Sequence, residues 1–112
     1  MTWRDLTPTA AQAELRTDAS LQVLDVRTPA EFASHRLANA TQVPVQDLAR
    51  RLSELDPEAN WLVYCEHGRR SVFACELLAR AGFSRLANLR GGIVHWAGEG
   101  LPIETGPTKP GR

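Results

Sequence analysis

The run Trp61-Leu62-Val63-Tyr64 is apolar throughout and ends directly on Cys65-Glu66-His67-Gly68-Arg69-Arg70-Ser71. After that loop Val72, Cys75, Leu78 and Ala79 recur at helical spacing until Gly82. This pattern predicts a strand, a short glycine-containing loop and a helix over 71–81 ended by glycine. A strand that hands over to a helix in this way is the repeating unit of an α/β domain.

The rest of the chain repeats the alternation. Thr7-Pro8 reads as a helix N-cap followed by proline at the first helical position, with helix-forming residues from Ala10 to Leu15. Leu21 to Val26 reads as a strand buried on both faces, because its apolar residues do not simply alternate. Thr28-Pro29-Ala30-Glu31 has the capping-box spacing, and a short helix through Phe32 should follow. Ala40 to Val43 is expected as a short strand ended by Pro44. Leu48, Leu52 and Leu55 mark one face of a helix that starts near Val45 and stops at Asp56-Pro57. Leu86 to Leu89 is a further strand, and a Gly91-Gly92 turn leads into a last short helix holding Ile93 and Trp96. There is no internal repeat. Residues 1–103 are expected to form one domain, with 104–112, rich in glycine and proline, as a flexible tail.

With 112 residues, one domain is the default. Thirteen basic and thirteen acidic residues cancel, so no overall field draws the protein to nucleic acid or to an anionic membrane. Basic residues crowd only at Arg50-Arg51 and Arg69-Arg70, and the second pair adjoins a cysteine. No stretch reaches the length needed to span a bilayer, and no targeting segment precedes the first helix, so the start of the sequence is expected to be the mature start. Two cysteines are too few for a disulfide framework, which favours a reducing, cytoplasmic setting. The three histidines and two cysteines lack paired ligand spacing, so no metal site is expected.

A cysteine at the end of a strand in a parallel sheet sits where open α/β folds bind ligands. A free thiol is mostly protonated at neutral pH and the thiolate is the nucleophile, so the loop has to stabilise an anion. Backbone amides converging on sulfur can do so, at roughly 1.5 to 3 kcal/mol for each hydrogen bond to a charged group, and Gly68 allows the curl that brings them together. The amides of Glu66, His67, Gly68, Arg69, Arg70 and Ser71 are the candidates. Arg69 and Arg70 are candidate anion-binding side chains, since a guanidinium grips oxyanions by forked hydrogen bonds. Arg69 is expected to point outward, whereas Arg70 has an alternative structural role pairing with Asp25 or Glu31. Glu66 is expected to face solvent, because a carboxylate beside the sulfur opposes its ionisation.

Leu24-Asp25-Val26-Arg27 with Glu31-Phe32, the loop Cys65-x-x-Gly68-x-Arg70-Ser71, and Gly82-Phe83 with Leu89-x-Gly91-Gly92-Ile93-x-x-Trp96 together resemble the rhodanese homology domain, from about Thr7 to Pro102. The resemblance implies a five-stranded, mainly parallel sheet with helices on both faces. It also implies a sulfurtransferase in which Cys65 takes sulfane sulfur from thiosulfate or another persulfide donor as a persulfide and passes it to cyanide or a thiol, with no cofactor. Asp25, Arg27 and Glu31 would support the site structurally. The fold also carries phosphatases and arsenate reductases with a loop one residue longer, whereas Cys65 to Arg70 is the six-residue sulfurtransferase length. One segment departs from the family pattern: His35-Arg36-Leu37-Ala38-Asn39-Ala40 stands where Gly-His-Ile-x-Gly-Ala is usual. Asn39 tolerates the left-handed turn of the missing glycine, and no role is carried to Arg36.

Cys75 lies on an apolar helical stripe and reads as core rather than as a resolving thiol. His67 reads as a rim residue, with proton donation the alternative. Trp3, Trp61 and Trp96 read as core or core edge. Besides the enzyme, a sulfur carrier served by a protein partner fits the same thiol, and an apolar patch around the loop mouth would favour it.

Overall fold

The computed structural model describes residues 2–107. Its elements are β1 (Arg4–Leu6), α1 (Pro8–Thr17), β2 (Leu21–Asp25), α2 (Pro29–Ser34), β3 (His35–Arg36), β4 (Ala40–Gln42), α3 (Val45–Leu48), a 3-10 segment (Ala49–Glu54), β5 (Asn60–Tyr64), α4 (Arg69–Arg80), β6 (Leu86–Leu89), α5 (Gly92–Gly98) and β7 (Glu104–Thr105). A five-stranded sheet in the order β1-β6-β5-β2-β4, parallel at every pairing, carries helices on both faces. This is the α/β architecture that the alternating pattern predicts.

The pleat of β5 shows how the layers are made. Successive side chains point to opposite faces, so Trp61, Val63 and Cys65 join Leu48, Ala74, Cys75 and Leu78 in one apolar cluster. Leu62 and Tyr64 join Ala11, Ala87, Leu89, Ile93 and Trp96 in the other. Both faces are covered, which is why the central strands need no alternation with polar residues. Trp61 and Trp96 are buried, and Trp3 packs at the margin of the first cluster.

The helix starts follow the local signals. Thr7 accepts from the Ala10 amide ahead of Pro8, and Thr28 and Glu31 form a complete capping box. The segment after Val45 is shorter than its leucine spacing suggests. A single α-turn runs into a 3-10 segment with Arg51 outside helical geometry, and Leu48 and Leu55 still reach the core. Asn39 takes φ 61°, the left-handed turn its side chain tolerates. Arg36 is buried and donates to the carbonyls of Phe32 (3.0 Å) and Ala33 (3.4 Å), capping the end of α2, with its guanidinium 5.3 Å from the Phe32 ring centroid.

Three short strands lack a sequence signal of their own. β1 pairs with β6, and β3 pairs antiparallel with β7. The boundary placed at 104 is therefore corrected: Glu104 and Thr105 are held by hydrogen bonding to His35 and Arg36, a partner roughly seventy residues away that no local pattern announces. The remainder of the expected tail, 108–112, lies outside the described residues.

Candidate active site

Cys65 follows the last residue of β5 and is only 1% exposed. Its Sγ receives the amide of Gly68 at 3.1 Å and that of Ser71 at 3.3 Å. The thiol also meets Ser71 Oγ at 3.3 Å, and that hydroxyl can rotate to donate when the sulfur is ionised. Of the amides from Glu66 to Ser71, these two are the ones that meet Sγ, and the Ser71 side chain adds a contact that loop spacing did not reveal. Gly68 stands at φ 95° as the cap of α4. That conformation turns its N–H back toward the sulfur and starts the helix whose first turn supplies the Ser71 amide.

The loop is held from the other side by the Gly91-Gly92 turn. The amide of Ile93 donates to the Cys65 carbonyl (2.9 Å) and that of Val94 to the Glu66 carbonyl (3.2 Å). A Cβ on Gly92 would overlap the Glu66 carbonyl and lie 2.7 Å from the Cys65 carbonyl oxygen, so glycine is what permits the two segments to touch. The sequence marked this glycine pair as a turn; its pressure on the cysteine loop belongs to the packing.

A charged network runs along the same sheet edge. Arg27 and Asp25 are fully buried, and the guanidinium donates to the Asp25 carboxylate through Nε (3.0 Å) and Nη2 (2.7 Å). Nη2 also donates to the His35 carbonyl at 2.6 Å, and Gln42 Nε2 donates to the Arg27 carbonyl. The Tyr64 hydroxyl donates to Asp25 Oδ2 at 2.7 Å and accepts from the Leu37 amide at 3.1 Å. Burial together with the neighbouring Asp25 charge pushes the Tyr64 phenol above its usual range, so it stays a neutral donor. Burial opposes the charge on Arg27, but the Asp25 carboxylate more than offsets it and keeps the guanidinium protonated. Asp25 and Arg27 therefore act as a buried brace at the ends of β2 and β5.

Glu66 corrects an expectation. Its side chain turns inward, and Oε1 accepts from Arg27 Nη1 at 3.0 Å, leaving the side chain about one quarter exposed (24%). The buried guanidinium has a donor free on that side, and a carboxylate within reach satisfies it. Arg70 takes the structural alternative: it grips Glu31 through both terminal nitrogens, at 2.8 and 2.9 Å. That fork, with the Thr28 amide behind it, holds the Glu31 carboxyl down at about 2. Arg70 in turn feels Glu31 first, then Cys65 and Glu66, so the sulfur lies within its field. Arg69 and His67 are exposed on the loop, with Arg69 outward as its place in the sequence suggests. Cys75 is on the buried face of α4, and desolvation pushes its thiol up to about 12.

The chain and its fold have known relatives. The family model of the Rhodanese-like domain matches residues 7–99. A sulfurtransferase of Allochromatium vinosum is 43% identical over 81 residues, covering 72% of this chain and 76% of that protein. The thiosulfate sulfurtransferase GlpE of Actinobacillus pleuropneumoniae is 31% identical over 104 residues, covering 93% and 95%. Among solved structures, a rhodanese-related protein from Thermoplasma volcanium superposes with a TM-score of 0.83 at 29% identity, covering 91% of this chain and 98% of that one. With the family model spanning most of the chain and the fold and these relatives in agreement, the chain belongs to the rhodanese-like domain family.

Proposed function

We propose that the protein is a sulfurtransferase that carries sulfane sulfur on Cys65, taking it from thiosulfate or another persulfide donor and delivering it to cyanide or a thiol. The observation that supports this most directly is the pair of amides, from Gly68 and Ser71, at 3.1 and 3.3 Å from Sγ. They stabilise a thiolate through backbone geometry that no side-chain motion disturbs. In the first half-reaction the Sγ anion attacks the outer sulfur of the donor. A new S–S bond forms, the donor's own S–S bond breaks, and its electron pair leaves with sulfite when thiosulfate is the donor. In the second half-reaction the acceptor attacks the terminal sulfur and returns Sγ as thiolate. Arg69, exposed beside the loop, is the cation available to an anionic donor, while Arg70 keeps the loop in register through Glu31.

Incubation with a sulfane donor followed by intact mass measurement tests this reading. The expected result is a gain of one sulfur atom, reversed by cyanide, lost in Cys65→Ser and retained in Cys75→Ser. Absence of any gain with thiosulfate and with an organic persulfide alike would overturn it.

A second reading, a sulfur carrier whose acceptor is another protein, is favoured by one feature. Phe73 on the second turn of α4 is 61% exposed, and Val94, whose amide meets the loop, is 45% exposed. An acceptor protein would protect both from solvent exchange, whereas small acceptors would leave them unaffected.

A further inference from the structure

We infer that Glu66 is a specificity-determining residue that biases the site toward sulfane donors with at most one negative charge, such as organic persulfides, and against the thiosulfate dianion. The inference rests on the sulfurtransferase reading and names its donor class.

The charge inventory at the sheet edge carries the argument. One guanidinium, Arg27, is shared by two carboxylates, Asp25 and Glu66. Asp25 sits inside the protein with two further donors, its own Arg27 amide (2.9 Å) and the Tyr64 hydroxyl (2.7 Å). Glu66 sits at the margin, partly exposed, on the residue next to the nucleophile. The trio therefore carries a net negative charge, and its exposed end is the carboxylate of the residue that follows Cys65 in the chain. The next cation, Arg70, is neutralised by Glu31 through a two-pronged contact. Arg69 is the remaining loop arginine, and among the described residues no ion pair engages it.

A donor approaching Sγ thus meets one cation and one partly solvated anion. An interaction with a fixed charge scales with the charge brought to it, so the dianion is repelled by Glu66 about twice as strongly as a monoanion. The carboxylate is also not free to swing away, because its backbone carbonyl is fixed by the Val94 amide and its head by Arg27. Glu66 in this loop is a local choice: the contact to Arg27 requires only an oxygen acceptor, and a neutral amide would satisfy the same guanidinium proton.

Three variants separate charge from geometry. Glu66→Gln keeps an acceptor for Arg27 and removes the charge. Glu66→Ser removes the charge without filling the contact, and Glu66→Asp keeps the charge. Steady-state kcat/KM is measured for thiosulfate and for 2-hydroxyethyl persulfide, whose terminal sulfur is its one ionisable group, with folding followed by circular dichroism. For Glu66→Gln the ratio of thiosulfate to persulfide efficiency is expected to rise about tenfold, with the persulfide value itself changing by less than about threefold. Glu66→Ser should raise the ratio in the same direction and serves if Glu66→Gln does not fold, whereas Glu66→Asp should leave it close to wild type. An unchanged or lower ratio in the charge-removing variants, or an equal rise in Glu66→Asp, overturns the inference while leaving the sulfurtransferase reading intact. A wild-type protein that accepts sulfur from neither donor overturns both.

Discussion

Cys65 and Cys75 lie ten residues apart, are both buried, at 1% and 0% exposure, and share one apolar cluster. Their surroundings differ in the direction the backbone faces. Around Cys65 the chain turns through Gly68, so two N–H groups point at the sulfur. Around Cys75 the amides are consumed by the helix, and the thiol meets hydrocarbon. Burial alone raises the energy of a thiolate, and it has done so at Cys75, whose thiol is pushed up to about 12. A buried sulfur becomes a nucleophile only where oriented donors replace the water that burial removed.

The contrast is most severely broken at Gly92. Gly92→Ala adds a Cβ against the carbonyls of Cys65 and Glu66 at φ 69°. It should cost about 3 kcal/mol or more in chemical denaturation and sharply reduce sulfur uptake, by displacing the Cys65 loop and not the Cys75 helix. A variant that loads sulfur normally would mean the loop does not depend on that contact. A smaller effect is expected at the other cysteine. Cys75→Ser places a hydroxyl among apolar neighbours and should lower stability by about 2 kcal/mol, while the kcat for sulfur transfer stays near wild type. Loss of transfer in a folded Cys75→Ser would erase the distinction between the two thiols.

The smallest effect concerns the brace behind the loop. The Glu31 carboxyl titrates at about 2 in the folded protein against 4.5 ordinarily, because Arg70 favours its charged form. A depressed folded value stabilises the protein above about 4.5, and that contribution is lost as pH falls toward about 2. The pair is about one third exposed, so solvent screening reduces it to roughly 1 kcal/mol. Comparing acid unfolding of wild type with Glu31→Gln should show this contribution missing from the variant, and identical acid transitions would remove Arg70 and Glu31 from the support of the loop.

Much of this site was legible from local pattern. Cys65 after an apolar run, Gly68 in the curl, the Thr28–Glu31 capping box and the apolar stripe through Cys75 are short-range signals, because each depends on a few neighbouring dihedrals or on one helical period. Glu66 was misplaced for the opposite reason. Its partner Arg27 lies 39 residues away and is brought alongside only because β2 and β5 pair in parallel register, with Asp25 beside Tyr64. The strands β1, β3 and β7 escaped notice on similar grounds: two or three residues carry no period, and their hydrogen bonds come from distant chain.

By itself, then, the sequence determined the alternation of β2, β4, β5 and β6 with their helices, the place of Cys65 at the end of β5 and the caps that start α1 and α2, since these follow from the spacing of residues along the chain. The tertiary structure alone decided which carboxylate answers which guanidinium, that Gly92 presses on the Cys65 loop, and that two of the candidate amides face the sulfur. Those relations depend on distances between segments remote in sequence, and only the pairing of the sheet and the packing of its two layers set them.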